Sequence, residues 1–330
     1  MKTAVIALTR GGKELAEKIC RLQPDCFLDS RDLPVFTKMA DLWQEVDGLI
    51  CIMAAGIAVR GLANLCQDKK KDPCVLVLDE KGRFVISLLS GHLGGGNRLA
   101  TDIARVLGGQ AVITTASDVT GHTALDLWAE KNSLLVESKM KLTAMSAKLV
   151  NEGQLQFFSE YEYKSLPHDF QPVFTPEDAD ILVTDRDYPG CQALILRPCT
   201  LMVGLGCNRG TRREDFKTAV DELCQNEGLA RNAIYGFASI DLKNDEQGLL
   251  DFAFAEGLSL RFYNKEQLNA VQGVSSSAAV LAATGAKGVA EPAAVLGAET
   301  DLGPGQLIVR KRKWKDVTAA VAIRQIRLSA

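Results

Sequence analysis

Short β-branched runs separated by amphipathic segments constrain this chain more than any other feature. Across the first 130 residues the runs are Thr3–Leu8, Gly48–Met53, Cys74–Leu78, Phe84–Leu88 and Ala111–Thr115. Helical patterns fall between them at Glu14–Leu22, Ile57–Leu65 and Asn97–Leu107. A strand covered on both faces reads as an unbroken apolar run and a crossover helix as one apolar stripe, so the alternation predicts βαβ units. "DEKGR", Asp79 to Arg83, is a turn signal. It predicts a hairpin between the third and fourth runs, and therefore a mixed sheet.

From about residue 131 to 200 the pattern weakens. The segment holds a basic amphipathic stretch around Lys139–Val150, the cluster "FFSEYEY", and Pro167, Pro172 and Pro176. It reads as a small connecting domain of the α+β kind. "RPCTLMVGLGCNRG" then opens a second α/β unit, with a strand at Leu201–Leu205 and a helix at Thr211–Gln225. Further strands are expected near Ile234–Ala238, Leu260–Tyr263, Leu307–Lys313 and Val317–Ile323. The expected fold class is α/β: mixed α/β domains at 1–130 and 201–330, with a small α+β central domain at 131–200. A chain of 330 residues is long enough for three cores.

The net charge of −3 gives no global attraction to nucleic acid or an anionic membrane. An anionic ligand must therefore be held by local basic clusters. No apolar run approaches the roughly 20 residues that span a bilayer. The N-terminal apolar stretch is interrupted too soon by Arg10 and Lys13 to read as a signal peptide. Nine cysteines, odd in number and without a C-x-x-C pair, fit reduced thiols rather than disulfides or a zinc site. With three scattered histidines besides, no metal site is expected, and the expected location is cytoplasmic.

Candidate chemistry concentrates in a few short stretches. "SGHLGGGNRLA", Ser90 to Ala100, joins an apolar run to a helix start. Glycines there permit positive φ and close approach to the amides, and the helix N-terminus can receive an oxyanion or carboxylate. His92 stands where an imidazole can act as general acid or base. Ser90 is nearby, but the stretch lacks the G-x-S-x-G of a nucleophile elbow, and no Gly-Lys-Ser/Thr follows to make a phosphate loop. The bland reading is a glycine-rich turn with a surface histidine.

"GLGCNRG", Gly204 to Gly210, is one residue longer than the dinucleotide fingerprint. It presents Cys207, Asn208 and Arg209 at a strand end, and without a histidine nearby Cys207 reads as packing. "ASIDLKNDEQGLL" places Ser239, Asp241 and Lys243 on one side if the strand continues that far. Glu291 lies in the small-residue stretch "GAKGVAEPAAVLGAE", and "KRKWK", Lys311 to Lys315, reads as a solvated strand face.

Taken together, these stretches carry a resemblance. The segment from "GIAVRGLANLCQDKKK" through "SGHLGGGNRLA" to "ITTASD" resembles the N-terminal domain of the CbiG family, cobalt-precorrin-5A hydrolases of anaerobic cobalamin biosynthesis. "VGLGCNRGT", "ASIDLKNDEQGLL", "YNKEQLNAV" and "GAKGVAEPAAVL" resemble its C-terminal domain, in the same order, and the weak middle agrees with a variable central region.

The resemblance implies a hydrolase that opens the δ-lactone of a cobalt corrinoid and releases acetaldehyde to give cobalt-precorrin-5B. It implies no cofactor of the protein's own, cobalt arriving within the substrate. It also implies transient handover of the corrinoid between pathway enzymes, with neither nucleic acid nor membrane as a partner. A corrinoid-binding or delivery protein without chemistry is the alternative; a nucleotide-dependent oxidoreductase already fails on glycine spacing.

Such chemistry needs a base and oxyanion donors. His92 is the expected base, with Ser90 beside it, and Gly91, Gly94, Gly95, Gly96 and Asn97 supply donors and room. His122 is the rival, His168 lies in the weak middle segment, and Asp118 or Glu291 follow if no histidine serves. Arg60, Lys69, Arg98, Arg209 and Lys243 are expected to line a wide cleft and meet the substrate's carboxylates, with Asn208, Ser239 and Glu291 in support.

Overall fold

The apolar runs near the N-terminus pair into one six-stranded sheet. The computed structural model of the chain describes residues 1–68, 71–91, 94–114 and 121–330. It divides into two compact units, Met1–Leu127 and Trp128–Ala330. In the first unit the strands are β1 (Thr3–Ala7), β2 (Cys26–Leu28), β3 (Gly48–Ile52), β4 (Cys74–Leu78), β5 (Phe84–Leu89) and β6 (Gln110–Val112), in the order β2-β1-β3-β4-β5-β6. β2, β1, β3 and β4 run parallel, β5 returns antiparallel to β4, and β6 follows β5 in parallel. The Asp79 carboxylate closes the hairpin by accepting from the Lys81 and Phe84 amides at 2.9 and 2.7 Å.

Helices cover both faces, which is why β1, β3 and β4 are buried along their whole lengths. On one face α1 (Arg10–Leu22) and α4 (Gly96–Leu107) set Ala16, Ile19, Leu99 and Ile103 against Val5, Ile50 and Leu76. On the other, α2 (Val35–Leu42) and α3 (Ala55–Leu62) set Met39, Leu42, Ala58 and Leu62 against Ile6, Leu49 and Val75. Each large aliphatic side chain buried in this way contributes about 1.5–3 kcal/mol before entropy is counted. β2 and α2 escape the sequence pattern because one is a three-residue edge strand and the other only eight residues long.

The second unit contains two sheets. β7 (Leu134–Val136), β8 (Leu155–Ser159), β9 (Phe170–Pro172), β10 (Ile181–Val183) and β11 (Leu194–Pro198) form the order β7-β11-β10-β8-β9. Trp128, Phe157 and Phe170 pack edge-on and stacked at its β8–β9 side, with centroids 5.0–5.7 Å apart. The chain's last residues return to this sheet: the Trp128 indole donates to the Ser329 carbonyl at 2.9 Å.

The remaining strands, β12 (Leu201–Cys207), β13 (Ile234–Ile240), β14 (Ser259–Tyr263), β15 (Gln306–Lys313) and β16 (Val317–Ile323), form the order β14-β13-β12-β16-β15. β12, β13 and β14 are parallel, and β16 and β15 complete the sheet antiparallel. Helices Arg213–Glu227 and Gln247–Glu256 cover one face through Phe216, Leu223 and Phe252. The alanine-rich helix Ala290–Gly297 covers the other.

No helix among the described residues is long and apolar enough to cross a membrane. All nine cysteines are free thiols, Cys20 and Cys26 with their sulfurs 3.2 Å apart.

Candidate functional site

The glycine loop after β5 is built to turn tightly. Ser90 takes a φ of 52°, a left-handed conformation that costs a non-glycine residue about 1–2 kcal/mol. Its hydroxyl donates to the Asp72 carbonyl at 3.0 Å and so holds that conformation. A Cβ at Gly91 would meet the Asn97 side chain, and one at Gly94 would meet Ser90. Gly95, with φ of 75°, caps α4 without a side-chain bond. Ser90, Gly91, Gly94, Gly95, Gly96 and Asn97 therefore come together as one helix cap.

Two of the expected oxyanion donors are spent inside that cap. The Gly96 amide donates to the Ser90 carbonyl at 3.2 Å and the Asn97 amide to the Gly91 carbonyl at 2.8 Å. Ser90 likewise acts on its own loop. His92, Lys69 and Asp118 lie outside the described residues. His122 is half-buried ahead of helix Leu125–Lys131, and His168 is exposed.

Among the described residues, the expected cations Arg60 and Arg98 do not gather. Arg60 is exposed on α3 and Arg98 on α4, on opposite faces of the sheet. Arg98 keeps a loose pair with Asp102 at 4.0 Å. A cavity of about 510 Å³ does open in this unit at the carboxyl ends of β1, β3 and β4, where the strand order reverses. Its lining is mainly apolar, with Leu8, Ile52, Met53, Ile57 and Ile86, and includes the carboxylates of Asp79 and Glu80. The glycine loop lies at the opposite end of the strands, at the amino end of β4 beside Asp72 and Cys74.

In the second unit the "GLGCNRG" turn has a different purpose from the one its glycines suggest. A Cβ on Gly204 would collide with the Ala290 carbonyl, and one on Gly206 with Thr318. These glycines let helix Ala290–Gly297 and β16 lie close against β12; they do not make room for a phosphate. Past the turn, a cavity of about 350 Å³ opens at the carboxyl ends of β12 and β13. Asn208, Lys243 and Glu291 line it together with Cys207, Trp314 and Asp316.

Asn208 is fixed there by Asp316, its side-chain amide donating at 2.9 Å. Lys243 is buried and faces Glu246 at 3.3 Å. Burial raises the Cys207 thiol to about 11, the nearby Lys243 charge only partly opposing it, so the sulfur stays protonated and packs as a thiol.

Three expectations need correction. Ser239 is fully buried and its hydroxyl donates to the Leu205 carbonyl at 2.7 Å, which leaves it nothing to offer a ligand. The strand ends at Ile240 and Asp241–Lys243 is a 3-10 turn, so Ser239, Asp241 and Lys243 do not share a strand face. Arg209 turns away, pairing with Asp245 and donating to the Leu242 carbonyl at 2.8 Å.

Glu291, expected as a ligand or reserve base, is committed instead. It accepts from the Ser275 amide and hydroxyl at 2.6 and 3.0 Å and from the Lys311 amide at 2.9 Å. Burial alone would raise its carboxyl, but those bonds and the Arg310 charge outweigh burial and hold it below the ordinary glutamate range. A carboxylate so stabilised is a poor proton acceptor.

The sequence reading missed Lys311, Lys313 and Lys315, which line the same cavity. The density of lysines in "KRKWK" was the signal, but the strand ends at Lys313, and the turn that follows brings Trp314 and Lys315 to the cavity.

An open α/β sheet with a basic cavity outside its carboxyl strand ends is a ligand-binding arrangement of the doubly wound class. Three regions match family models: Cobalamin synthesis G N-terminal over residues 37–118, Cobalamin biosynthesis central region over 123–198, and Cobalamin synthesis G C-terminus over 201–322. The chain is 34% identical to the "Cobalt-precorrin-5A hydrolase" of Priestia megaterium, covering 97% of this chain and 94% of that one. It is 30% identical to the protein of the same name from Salmonella typhimurium, covering 97% of each. A crystal structure of a cobalamin biosynthesis protein G homologue from Sulfolobus solfataricus aligns over 98% of this chain and 97% of that one, with 18% identity and a TM-score of 0.38. The chain belongs to the CbiG family.

Proposed function

We infer that this chain is a cobalt-precorrin-5A hydrolase, a hydrolase of cobalamin biosynthesis. The observation that carries the inference is the 34% identity to a protein of that name across 97% of the chain. In this reading the substrate is a cobalt corrinoid whose δ-lactone is opened, and the extruded carbon leaves with its methyl group as acetaldehyde to give cobalt-precorrin-5B. The cobalt enters with the substrate. Among the described residues no three His, Cys, Asp or Glu side chains gather into a metal site. The reaction is placed in the cytoplasm.

Lactone hydrolysis needs a base for the attacking water and donors for the tetrahedral oxyanion. His92 is proposed as the base, or as the acid toward the departing oxygen. With the Gly96 and Asn97 amides already bonded within the cap, the Gly94 and Gly95 amides are proposed to meet the oxyanion. Asn208 and Lys243 in the second unit are proposed to hold substrate carboxylates. The test is single-turnover acetaldehyde release by purified protein, with corrinoid binding measured separately. The His92→Ala variant should bind normally and turn over about 10²-fold more slowly. Loss of turnover in His122→Ala with His92→Ala near normal would move the base to His122. Binding without acetaldehyde from the unaltered protein would leave a carrier.

A further inference from the structure

The lysines of "KRKWK" face a concave surface instead of bulk solvent alone. Lys311, Lys313 and Lys315 line the cavity of the C-terminal sheet together with Lys243. The arginines interleaved with them are neutralised: Arg310 lies 3.8 Å from Glu291 and Arg312 2.7 Å from Glu227. Lys243 has Glu246. Lys311, Lys313 and Lys315 are exposed and take no ion-pair partner among the described residues.

The carboxylates on the cavity wall are already engaged. Glu291 holds the Ser275 and Lys311 backbone, and Asp316 holds Asn208. The wall thus carries four lysines against two carboxylates, and its excess charge is positive although the protein as a whole is acidic. Such a hollow attracts anions and repels cations over about a Debye length. Trp314 stands between Lys313 and Lys315, its indole N–H fixed to Glu222 at 2.6 Å, and gives the same hollow an apolar wall. A volume of about 350 Å³ admits one edge of a macrocycle with its acidic arms, not the whole ring.

We propose that Lys311, Lys313, Lys315 and Trp314 form a carboxylate seat that grips one edge of a corrin by adjacent acetate and propionate side chains. The charge argument stands on the cavity itself; the corrin as ligand rests on the hydrolase reading. The seat orients the ring and takes no part in bond breaking.

The experiment titrates the full chain with a cobalt corrin whose side-chain carboxylates are all free, and with the same corrin as its methyl esters. The free acid should bind at least about tenfold more tightly than the ester, with an advantage that shrinks as salt is added. Lys313→Gln should weaken the acid about tenfold, and the triple Lys311→Gln/Lys313→Gln/Lys315→Gln variant about 100-fold, leaving the ester unchanged. Arg312→Gln removes the same charge one residue away but outside this cavity, and should change neither.

An ester that binds as tightly as the acid overturns the seat, as does an Arg312→Gln loss equal to that of Lys313→Gln. Acetaldehyde release distinguishes the two readings. Lysine-dependent binding without acetaldehyde keeps the seat and removes the hydrolase. Acetaldehyde release with KM unchanged in the triple variant keeps the hydrolase and removes the seat.

Discussion

The two outer sheets each open a cavity at the carboxyl ends of their central parallel strands, yet the two cavities differ in chemistry. The N-terminal one is mainly apolar, with Leu8, Ile52, Met53, Ile57 and Ile86, and its only charged lining among the described residues is Asp79 and Glu80; the C-terminal one sets four lysines against Glu291 and Asp316. Architecture decides where a hollow forms, and the loops that leave the strands decide what it attracts. The glycine-rich stretches differ in the same way. In the first unit they permit a tight turn into α4; in the second they let a helix lie on a strand.

Paired substitutions sharpen that second contrast most. Gly204→Ala places a methyl group into the Ala290 carbonyl, where backbone must move, and should cost about 3 kcal/mol or more. Gly95→Ala meets only Met1 at ordinary contact distance but keeps a φ of 75°, and should cost about 1 kcal/mol. Urea unfolding of both variants checks the order. Equal losses would mean that the two stretches do the same work.

The next effect belongs to Glu291. Its folded carboxyl lies below the ordinary value of 4.5, so its contribution is fully present above that pH and fades as pH falls through the depressed folded value. Glu291→Gln keeps the shape but not the charge, and should flatten the acid side of the stability profile. Glu291→Ala, which leaves the Ser275 and Lys311 amides without their acceptor, should cost about 2–3 kcal/mol at neutral pH. Denaturation midpoints between about pH 6 and 3 provide the comparison. An unchanged acid limb in Glu291→Gln would show that the carboxylate's charge is not what stabilises this wall.

The smallest effect is expected at Ser90. Ser90→Ala loses one hydrogen bond to Asp72, about 1 kcal/mol, and should leave acetaldehyde release within about twofold of normal. A loss of turnover far beyond the loss of stability would restore Ser90 to the chemistry.

Periodicity made most of the strands and helices legible because buried parallel strands must be apolar throughout and crossover helices must carry one apolar stripe. The sequence by itself determined the βαβ alternation, the Asp79–Arg83 hairpin and the strand pair ending at Ile323. It also determined the family, through an ordered set of motifs spread along the chain. Tertiary structure alone decided which candidates meet. Asn208, Lys243 and Lys313, far apart in sequence, line one cavity because β12, β13 and the β15–β16 hairpin converge there. Ser239 and Arg209, adjacent to those same motifs, are drawn off by the Leu205 carbonyl and Asp245. The physical reason is that a polar side chain goes to whichever partner the fold brings within hydrogen-bonding range, and that partner is absent from any local pattern.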